Sequence, residues 1–154
     1  MKRSIYGENP QKERLRIEKA LTKVCQWTEK AHGVTVSFGF SEVNQFDPDS
    51  KTISICTRSN LRDRLNTLLH ECGHLVLRSD KKAFLKRFPD IRDGRTGKEF
   101  RLDILREEVL AWEKGLEVAK ELRIKIDTFW YRRHLQVPLW SYIEWVKNPK
   151  GWRI

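Results

Sequence analysis

Hydrophobic residues recur at two different spacings in the first part of the chain. After Asn9 and Pro10, which suit a helix cap and a first helical turn, they fall three or four positions apart until Gly33. The segments VTVSFGF (34–40) and KTISICT (51–57) instead alternate with a period of two, and the turn-forming residues FDPDSK separate them. The pattern predicts one helix followed by two antiparallel strands.

Helical spacing returns in the rest of the chain. Ser59 or Asn60 can cap a helix whose apolar stripe is Leu61, Leu65, Leu68, Leu69, Cys72 and Val76. A segment rich in Pro, Gly and Asp (89–98) is predicted to form a loop, and a long helical pattern (100–123) follows it. A last helical region starts at 127 and is interrupted or restarted at the proline of VPLWSYIEWV. We therefore expect a single α+β domain over residues 1–154.

Composition and sequence features argue against a membrane-spanning or secreted protein. No stretch approaches the roughly 20 consecutive apolar residues that a membrane-spanning helix needs. The three cysteines (Cys25, Cys56 and Cys72) lack the spacing of a disulfide framework, and residues 1–16 lack the apolar segment of a secretion signal, so a cytoplasmic protein is expected. The net charge of +10 would attract an anionic partner such as nucleic acid, although the basic residues are scattered as they are on solvated faces.

The stretch LLHECGHLVL (68–77) carries the clearest chemical pattern. On a helix, His70 and His74 project from one face, opposite the apolar stripe, and can direct their imidazole nitrogens at one metal ion. One side of this helix is therefore predicted to fill a core and the other to face a cleft. Glu71 lies beside such an ion as a candidate general base for a zinc-activated water, and Gly73 leaves room for a neighbouring backbone.

A catalytic zinc ion usually takes a third protein ligand, and three residues are candidates. Asp80 stands ten residues after His70, but Leu77 occupies the position where a turn-forming glycine would be needed. His134 would supply a third histidine, as in SprT-like proteins. Glu108 lies in the long helical pattern and is the candidate that the spacing favours.

The spacing of the long helix separates two neighbouring glutamates. Its inward face is predicted to comprise Leu105, Val109, Trp112, Leu116 and Ala119. With Trp112 at the centre and about 100° per residue, Glu108 lies roughly 40° off centre and Glu107 roughly 140° away, towards solvent. Ala111 and Gly115 would let the backbone approach the metal-bearing helix, so Glu108 is predicted to complete the site.

Together, His70, Glu71 and His74 followed by Glu108-x-x-Ala111 resemble the gluzincin pattern of HExxH metallopeptidases, particularly the ImmA/IrrE family. The C-terminal stretch LWSYIEWV is similar to small phage-encoded HExxH proteins. The resemblance implies a zincin-like fold in which His70, His74 and Glu108 bind Zn²⁺ and Glu71 is the base. Trp112 stands where that family commonly has asparagine.

The expected function is zinc-dependent hydrolysis of a polypeptide, with an extended substrate paired to a sheet edge. Tyr131, His134 and Tyr142 are candidate donors to the oxyanion. Two alternatives stay open: a SprT-like DNA-associated protease, and a non-catalytic zinc-containing module that binds nucleic acid. Tryptophans alternate with basic residues towards the C-terminus, at Trp130, Trp140, Trp145 and Trp152, where they would either stack bases or cap a small core.

Overall fold

The structure, a computed structural model, describes residues 9–92 and 95–150. In that part the chain is α+β, with five helices and a three-stranded sheet. In chain order the elements are α1 (Pro10–His32), β1 (Thr35–Gly39), β2 (Gln45–Asp47), β3 (Thr52–Cys56), α2 (Leu61–Arg78), α3 (Lys81–Arg87), α4 (Lys98–Glu121) and α5 (Thr128–Lys147). The expectation about a secretion signal involves residues 1–8, and the expectation about stacked bases involves Trp152; these residues lie outside the described ones.

The described residues up to Leu69 form one compact unit and those from His70 onward form a second, so the boundary falls within α2. The single domain over 1–154 stays a prediction. No helix in the described ranges is both long enough and apolar enough to cross a membrane.

In the first unit, α1 begins and ends where the sequence predicts. The side chain of Asn9 accepts a hydrogen bond from the backbone N–H of Gln11 at 2.9 Å, and Pro10 occupies the first turn. Gly33 ends the helix with φ +65°, a left-handed conformation that glycine adopts without the steric cost of a Cβ. The buried face of α1 consists of Ile17, Ala20, Val24 and Thr28.

The sheet is mixed, and the prediction of two antiparallel strands is wrong. β1 pairs with β3 in parallel, with Val36 opposite Ile53, and β2 pairs with β3 in antiparallel register on the other side. The period-two pattern identifies β1 and β3 but misses β2, whose three residues are too few to show an alternation. The chain reverses once before β2 and again after it, and two reversals leave β1 and β3 parallel.

Helix α2 starts after Asn60, whose side-chain oxygen accepts the backbone N–H of Asp63 at 3.0 Å. Of the two predicted caps, Asn60 is therefore the one used. Every residue from Leu65 to Leu75 is buried, including the side chains opposite the apolar stripe. The face of α2 that carries His70 and His74 is therefore largely shielded from solvent, with each of these two residues 8% exposed.

The second unit contains α3, which the sequence pattern did not predict, together with α4 and α5. Its buried apolar side chains are Cys72, Leu75, Phe84, Phe88, Ala111, Trp112, Val118, Ala119 and Tyr131. Helix α5 continues through Pro138, so the predicted interruption is wrong. A proline inside a helix removes only one helical hydrogen bond. Helix α5 is also anchored by the buried Tyr131, whose hydroxyl donates to the carbonyl of Trp112 at 2.9 Å.

Candidate metal centre

Three side chains from α2 and α4 meet in the second unit. The Nε2 atoms of His70 and His74 are 3.2 Å apart. One carboxylate oxygen of Glu108 lies 3.2 Å from Nε2 of His70, and the other lies 3.3 Å from Nε2 of His74. Among the described residues, this is the one group of His, Cys, Asp or Glu side chains arranged to hold a metal ion.

The spacing of these donor atoms fits a zinc ion. Ligands at about 2.0–2.1 Å from a tetrahedral zinc are about 3.3 Å from one another. The two imidazole nitrogens are 3.2 Å apart, and each has a different oxygen of Glu108 at 3.2 or 3.3 Å. One ligand atom from each of the three residues lies within 4.8 Å of the other two. The donor set of two imidazoles and one carboxylate is one that zinc enzymes use, and it leaves a fourth position for water or substrate. The residues present therefore fit the ion.

Charge supports the same conclusion. Three buried carboxylates, of Glu71, Glu107 and Glu108, act electrostatically on this cluster, and Arg78 is the guanidinium paired with one of them. Buried carboxylates are unfavourable unless cations compensate them. A divalent cation held by the two histidines and Glu108 would balance the excess negative charge.

Helices α2 and α4 approach so closely here that only glycine fits at position 73. A Cβ built on Gly73 would lie 1.9 Å from the carbonyl oxygen of Ala111 and 2.9 Å from its Cα. No side chain can make room, because the obstacle is backbone. This contact confirms the predicted close approach, and it brings Glu108 to the histidines because Ala111 follows it by one helical turn.

The expected orientation of Glu107 is wrong. Its carboxylate is 1% exposed and turned into the protein. The buried residues of α4 are Asp103, Glu107, Glu108, Ala111, Trp112, Gly115, Val118 and Ala119. At about 100° per residue their centre falls near Ala111, not Trp112, so Glu107 lies roughly 40° and Glu108 roughly 60° from the centre of the buried face. Val109, predicted to point inward, is 39% exposed.

His74 is fixed by a charged hydrogen-bond chain. Its Nδ1 lies 2.8 Å from Oε1 of Glu107. Arg78 donates to both oxygens of that carboxylate, from Nε to Oε1 at 2.6 Å and from Nη2 to Oε2 at 2.9 Å. With Nδ1–H donating to Glu107, the opposite nitrogen Nε2 is directed at the candidate metal position between His70, His74 and Glu108.

His70 is fixed by ring packing. Its imidazole stacks on the indole of Trp112, with the ring centroids 4.1 Å apart and the planes 19° from parallel. Its Nδ1 is buried and has no hydrogen-bond partner, and neither has Nε1 of Trp112. The position of Trp112 on the predicted inward face did not reveal this role. Its indole is the surface on which the ring of His70 packs.

The charged groups shift one another's protonation. Burial alone would lower the pKa of His74, but hydrogen bonds to Glu107 and Glu108 and the negative charges of Glu108 and Glu71 raise the pKa to about 10. Burial alone would raise the pKa of Glu108, but hydrogen bonds from His70 and His74 hold the pKa below its ordinary value. Without a metal ion, each of these two groups thus favours the charged form of the other.

Glu71 and Tyr142 lie close to this cluster. Glu71 is 5% exposed and stands outside the group of three that could hold the ion. Burial, the charge of Glu108 and a hydrogen bond to that carboxylate raise the pKa of Tyr142, so its hydroxyl stays protonated and donates to Glu108. Tyr131, another candidate oxyanion donor, is fully buried and its hydroxyl is directed at the carbonyl of Trp112.

The two other candidate ligands are placed elsewhere. Helix α2 continues to Arg78, and Asp80 caps α3 by accepting the backbone N–H of Ala83 at 3.0 Å. His134 packs edge-on against Trp112, with the ring centroids 5.7 Å apart, and is not part of the three-residue group. Of the three candidates, Glu108 is the one that the structure brings to the histidines.

No protein-family model, no curated protein and no solved structure matches this chain. The resemblance to HExxH metallopeptidases therefore stays a prediction from the sequence pattern.

Proposed function

We propose that this protein is a zinc-dependent metallopeptidase with a zincin-like arrangement and a gluzincin-type ligand set. The observation that supports it most directly is the meeting of two imidazole nitrogens, 3.2 Å apart, with the carboxylate of Glu108, whose two oxygens lie 3.2 and 3.3 Å from them, beside the buried Glu71. A histidine pair one turn apart with an adjacent glutamate is a pattern that places a base next to a metal ion. A cytoplasmic location is part of the same proposal.

Peptide hydrolysis needs a base, an acid and a group that stabilises the oxyanion. Zn²⁺ bound by His70, His74 and Glu108 would lower the pKa of a water molecule towards about 7 and polarise the scissile carbonyl. Glu71 would accept a proton from the attacking water and return it to the amine nitrogen as the C–N bond breaks. Of the three candidate oxyanion donors we favour Tyr142, whose protonated hydroxyl lies beside Glu108 and would turn from that carboxylate to the oxyanion.

The exposure of the site indicates the form of the substrate. His70, His74 and Glu108 are each 8% exposed, and Glu71 is 5% exposed, so little of the site is accessible from solvent. A folded protein surface cannot reach buried atoms of this kind, whereas an extended segment of polypeptide can. We therefore infer that the substrate is a flexible chain segment.

Substitution of Glu71 tests the proposal. Glu71→Gln should keep one zinc per chain and lose hydrolysis by about 10²- to 10⁴-fold, because the amide cannot accept the proton. Glu117→Gln is the matched control, since that glutamate has 63% side-chain exposure and pairs with Lys114 on the outer face of α4. Cleavage sites mapped across a proteome with the wild type and the Glu71→Gln protein would identify the substrate. Undiminished hydrolysis by Glu71→Gln would reject Glu71 as the base.

One observation favours a second candidate function, which is binding to single-stranded nucleic acid. The protein would then be either a DNA-associated protease or a non-catalytic binding module. Phe129 and Trp140 on α5 are 58% and 63% exposed, and Arg133 lies over the ring of Phe129 at 5.8 Å. Exposed aromatic rings with basic neighbours can stack on bases. Salt-dependent retention on single-stranded DNA that is lost in Trp140→Ala would support this second candidate. Retention that Trp140→Ala leaves unchanged would reject this surface.

A further inference from the structure

Glu107 is a fully buried carboxylate that neither the proposed ligand set nor the proposed reaction uses. Its Oε1 is shared between Nδ1 of His74 at 2.8 Å and Nε of Arg78 at 2.6 Å, and its Oε2 accepts from Nη2 of Arg78 at 2.9 Å. A carboxylate at 1% exposure is retained only where such partners compensate its charge.

The contact with His74 is made on the side of the ring that faces away from the metal position. Nε2 of His74 lies 3.2 Å from Nε2 of His70 and 3.3 Å from Glu108, whereas Glu107 contacts Nδ1. The imidazole ring therefore stands between Glu107 and the metal position. Glu107 acts on the ion through the ring and cannot replace Glu108 as a ligand.

Asp103, another buried carboxylate on the same helix, forms an ion pair with an arginine but contacts none of the described histidines. Asp103 is 4% exposed, lies 2.6 Å from Nη1 of Arg106 and accepts the backbone N–H of Asp90 at 3.0 Å. That arrangement secures the segment before α4. The pair of Glu107 and Arg78 has a similar chemistry, but its carboxylate holds a candidate metal ligand.

We propose that Glu107 and Arg78 are positioning residues that set the tautomer, the ring orientation and the basicity of His74 for metal binding. The bidentate contact from Arg78 prevents the carboxylate from rotating, and the ionised Glu107 accepts Nδ1–H and makes Nε2 the stronger donor to a cation. This inference depends on the metal site of the proposed function but not on the hydrolytic reaction.

Zinc affinity, measured by competition with a chromophoric chelator, tests the inference directly. Glu107→Gln keeps an oxygen acceptor for His74 but removes the charge, and it should weaken zinc binding about 10- to 100-fold. Asp103→Asn is the matched control, because it also neutralises a buried carboxylate paired with an arginine on α4 but contacts no histidine. Its zinc affinity should equal that of the wild type.

A readout that a merely structural role would not change comes from nitrogen NMR of the zinc-loaded protein. The wild type and Asp103→Asn should show His74 with Nδ1 protonated and strongly hydrogen-bonded, and Glu107→Gln should show that Nδ1 proton shifted towards a weaker hydrogen bond. If Glu107→Gln does not fold, Arg78→Lys replaces it, since lysine keeps the charge but loses the two-pronged contact; we expect a loss of zinc affinity of about threefold to tenfold.

The outcomes separate this inference from the proposed function. A folded Glu107→Gln or Arg78→Lys protein with wild-type zinc affinity and an unchanged His74 signal would overturn it. A wild type that binds zinc but hydrolyses no peptide would reject the peptidase and leave the positioning role to be judged by the affinities. A wild type that takes up no divalent metal would overturn both.

Discussion

The two histidines of the site lie one helical turn apart on α2, yet different forces hold their rings. His74 donates to the carboxylate of Glu107, which Arg78 fixes with two hydrogen bonds. His70 stacks on Trp112 at 4.1 Å, and its Nδ1 has no partner. Both rings also contact Glu108 through Nε2. On the opposite side of each ring, charge and hydrogen bonds determine the position of His74, and ring packing determines the position of His70.

This difference indicates how the surroundings of each histidine should respond to substitution. The His74 side comprises Glu107 and Arg78, and the His70 side comprises Trp112. Hydrogen bonds to charged groups are directional and strong, so the His74 side should be sensitive to charge and to pH. Stacked rings restrict tilt but not the choice of protonated nitrogen, so the His70 side should be sensitive to the volume and flatness of its neighbour. The comparison can be tested by altering one side at a time and both sides together.

Gly73→Ala should have the largest effect, because it displaces both sides together. The new Cβ would meet the backbone of Ala111, which cannot move without separating α2 from α4. We expect a loss of roughly 3 kcal/mol in the free energy of unfolding and a loss of zinc binding, measured by denaturant unfolding and metal analysis. The control is Gly97→Ala, where the nearest atom is the mobile carboxylate of Glu99 at 3.2 Å. A Gly73→Ala protein as stable as the control would contradict the close approach.

Trp112→Leu should disturb the His70 side alone. Loss of the stacked ring should lower the free energy of unfolding by about 2 kcal/mol, while Trp112→Phe, which keeps a flat ring, should lose less. The nitrogen signals of His74 should not change in either variant. If Trp112→Leu altered the tautomer of His74 while the helix content was unchanged, the two sides would not be independent.

The His74 side should make the metal-free protein sensitive to alkali. The pKa of His74 is about 10 in the folded protein and 6.5 ordinarily, so its stabilising contribution is fully present below pH 6.5 and is lost as the pH rises towards 10. Between these limits the free energy of unfolding should fall by about 1 kcal/mol per pH unit, as measured by urea unfolding with a chelator present. In His74→Gln this component should vanish. An identical pH dependence in both proteins would count against the charged chain.

His134→Gln should have the smallest effect on the site. The ring of His134 lies edge-on to Trp112 and outside the group of three donors, so zinc affinity should stay within about twofold of the wild type. Chelator competition measures this directly. A loss as large as that of His70→Ala would favour His134 as a ligand and with it the SprT-like alternative.

The sequence predicted the parts of the site that depend on one helix. His70 and His74 are four residues apart on α2, and helical geometry alone places them together. The positions of Asn9 and Gly33 likewise predicted the ends of α1, because capping depends on local interactions. For the start of α2 the sequence offered Ser59 or Asn60, and Asn60 is the cap.

Features that depend on two elements were harder to predict. The pattern of large apolar residues on α4 directs Glu107 to solvent, whereas the centre of the buried face lies near the small Ala111, where Gly73 of α2 approaches. The parallel pairing of β1 and β3 arises because β2, a strand of only three residues, lies between them in the sequence. The stack of His70 on Trp112 has no local pattern that would reveal it.

The central claim is that two imidazoles and one carboxylate bind a zinc ion, and X-ray absorption at the zinc edge of the purified protein tests it most directly. We predict one zinc per chain, bound by nitrogen and oxygen atoms at about 2.0–2.1 Å, with scattering from two imidazole rings and with the metal lost in Glu108→Ala. Sulfur atoms at about 2.3 Å, three imidazole rings, or undiminished zinc in Glu108→Ala would contradict the assignment of His70, His74 and Glu108.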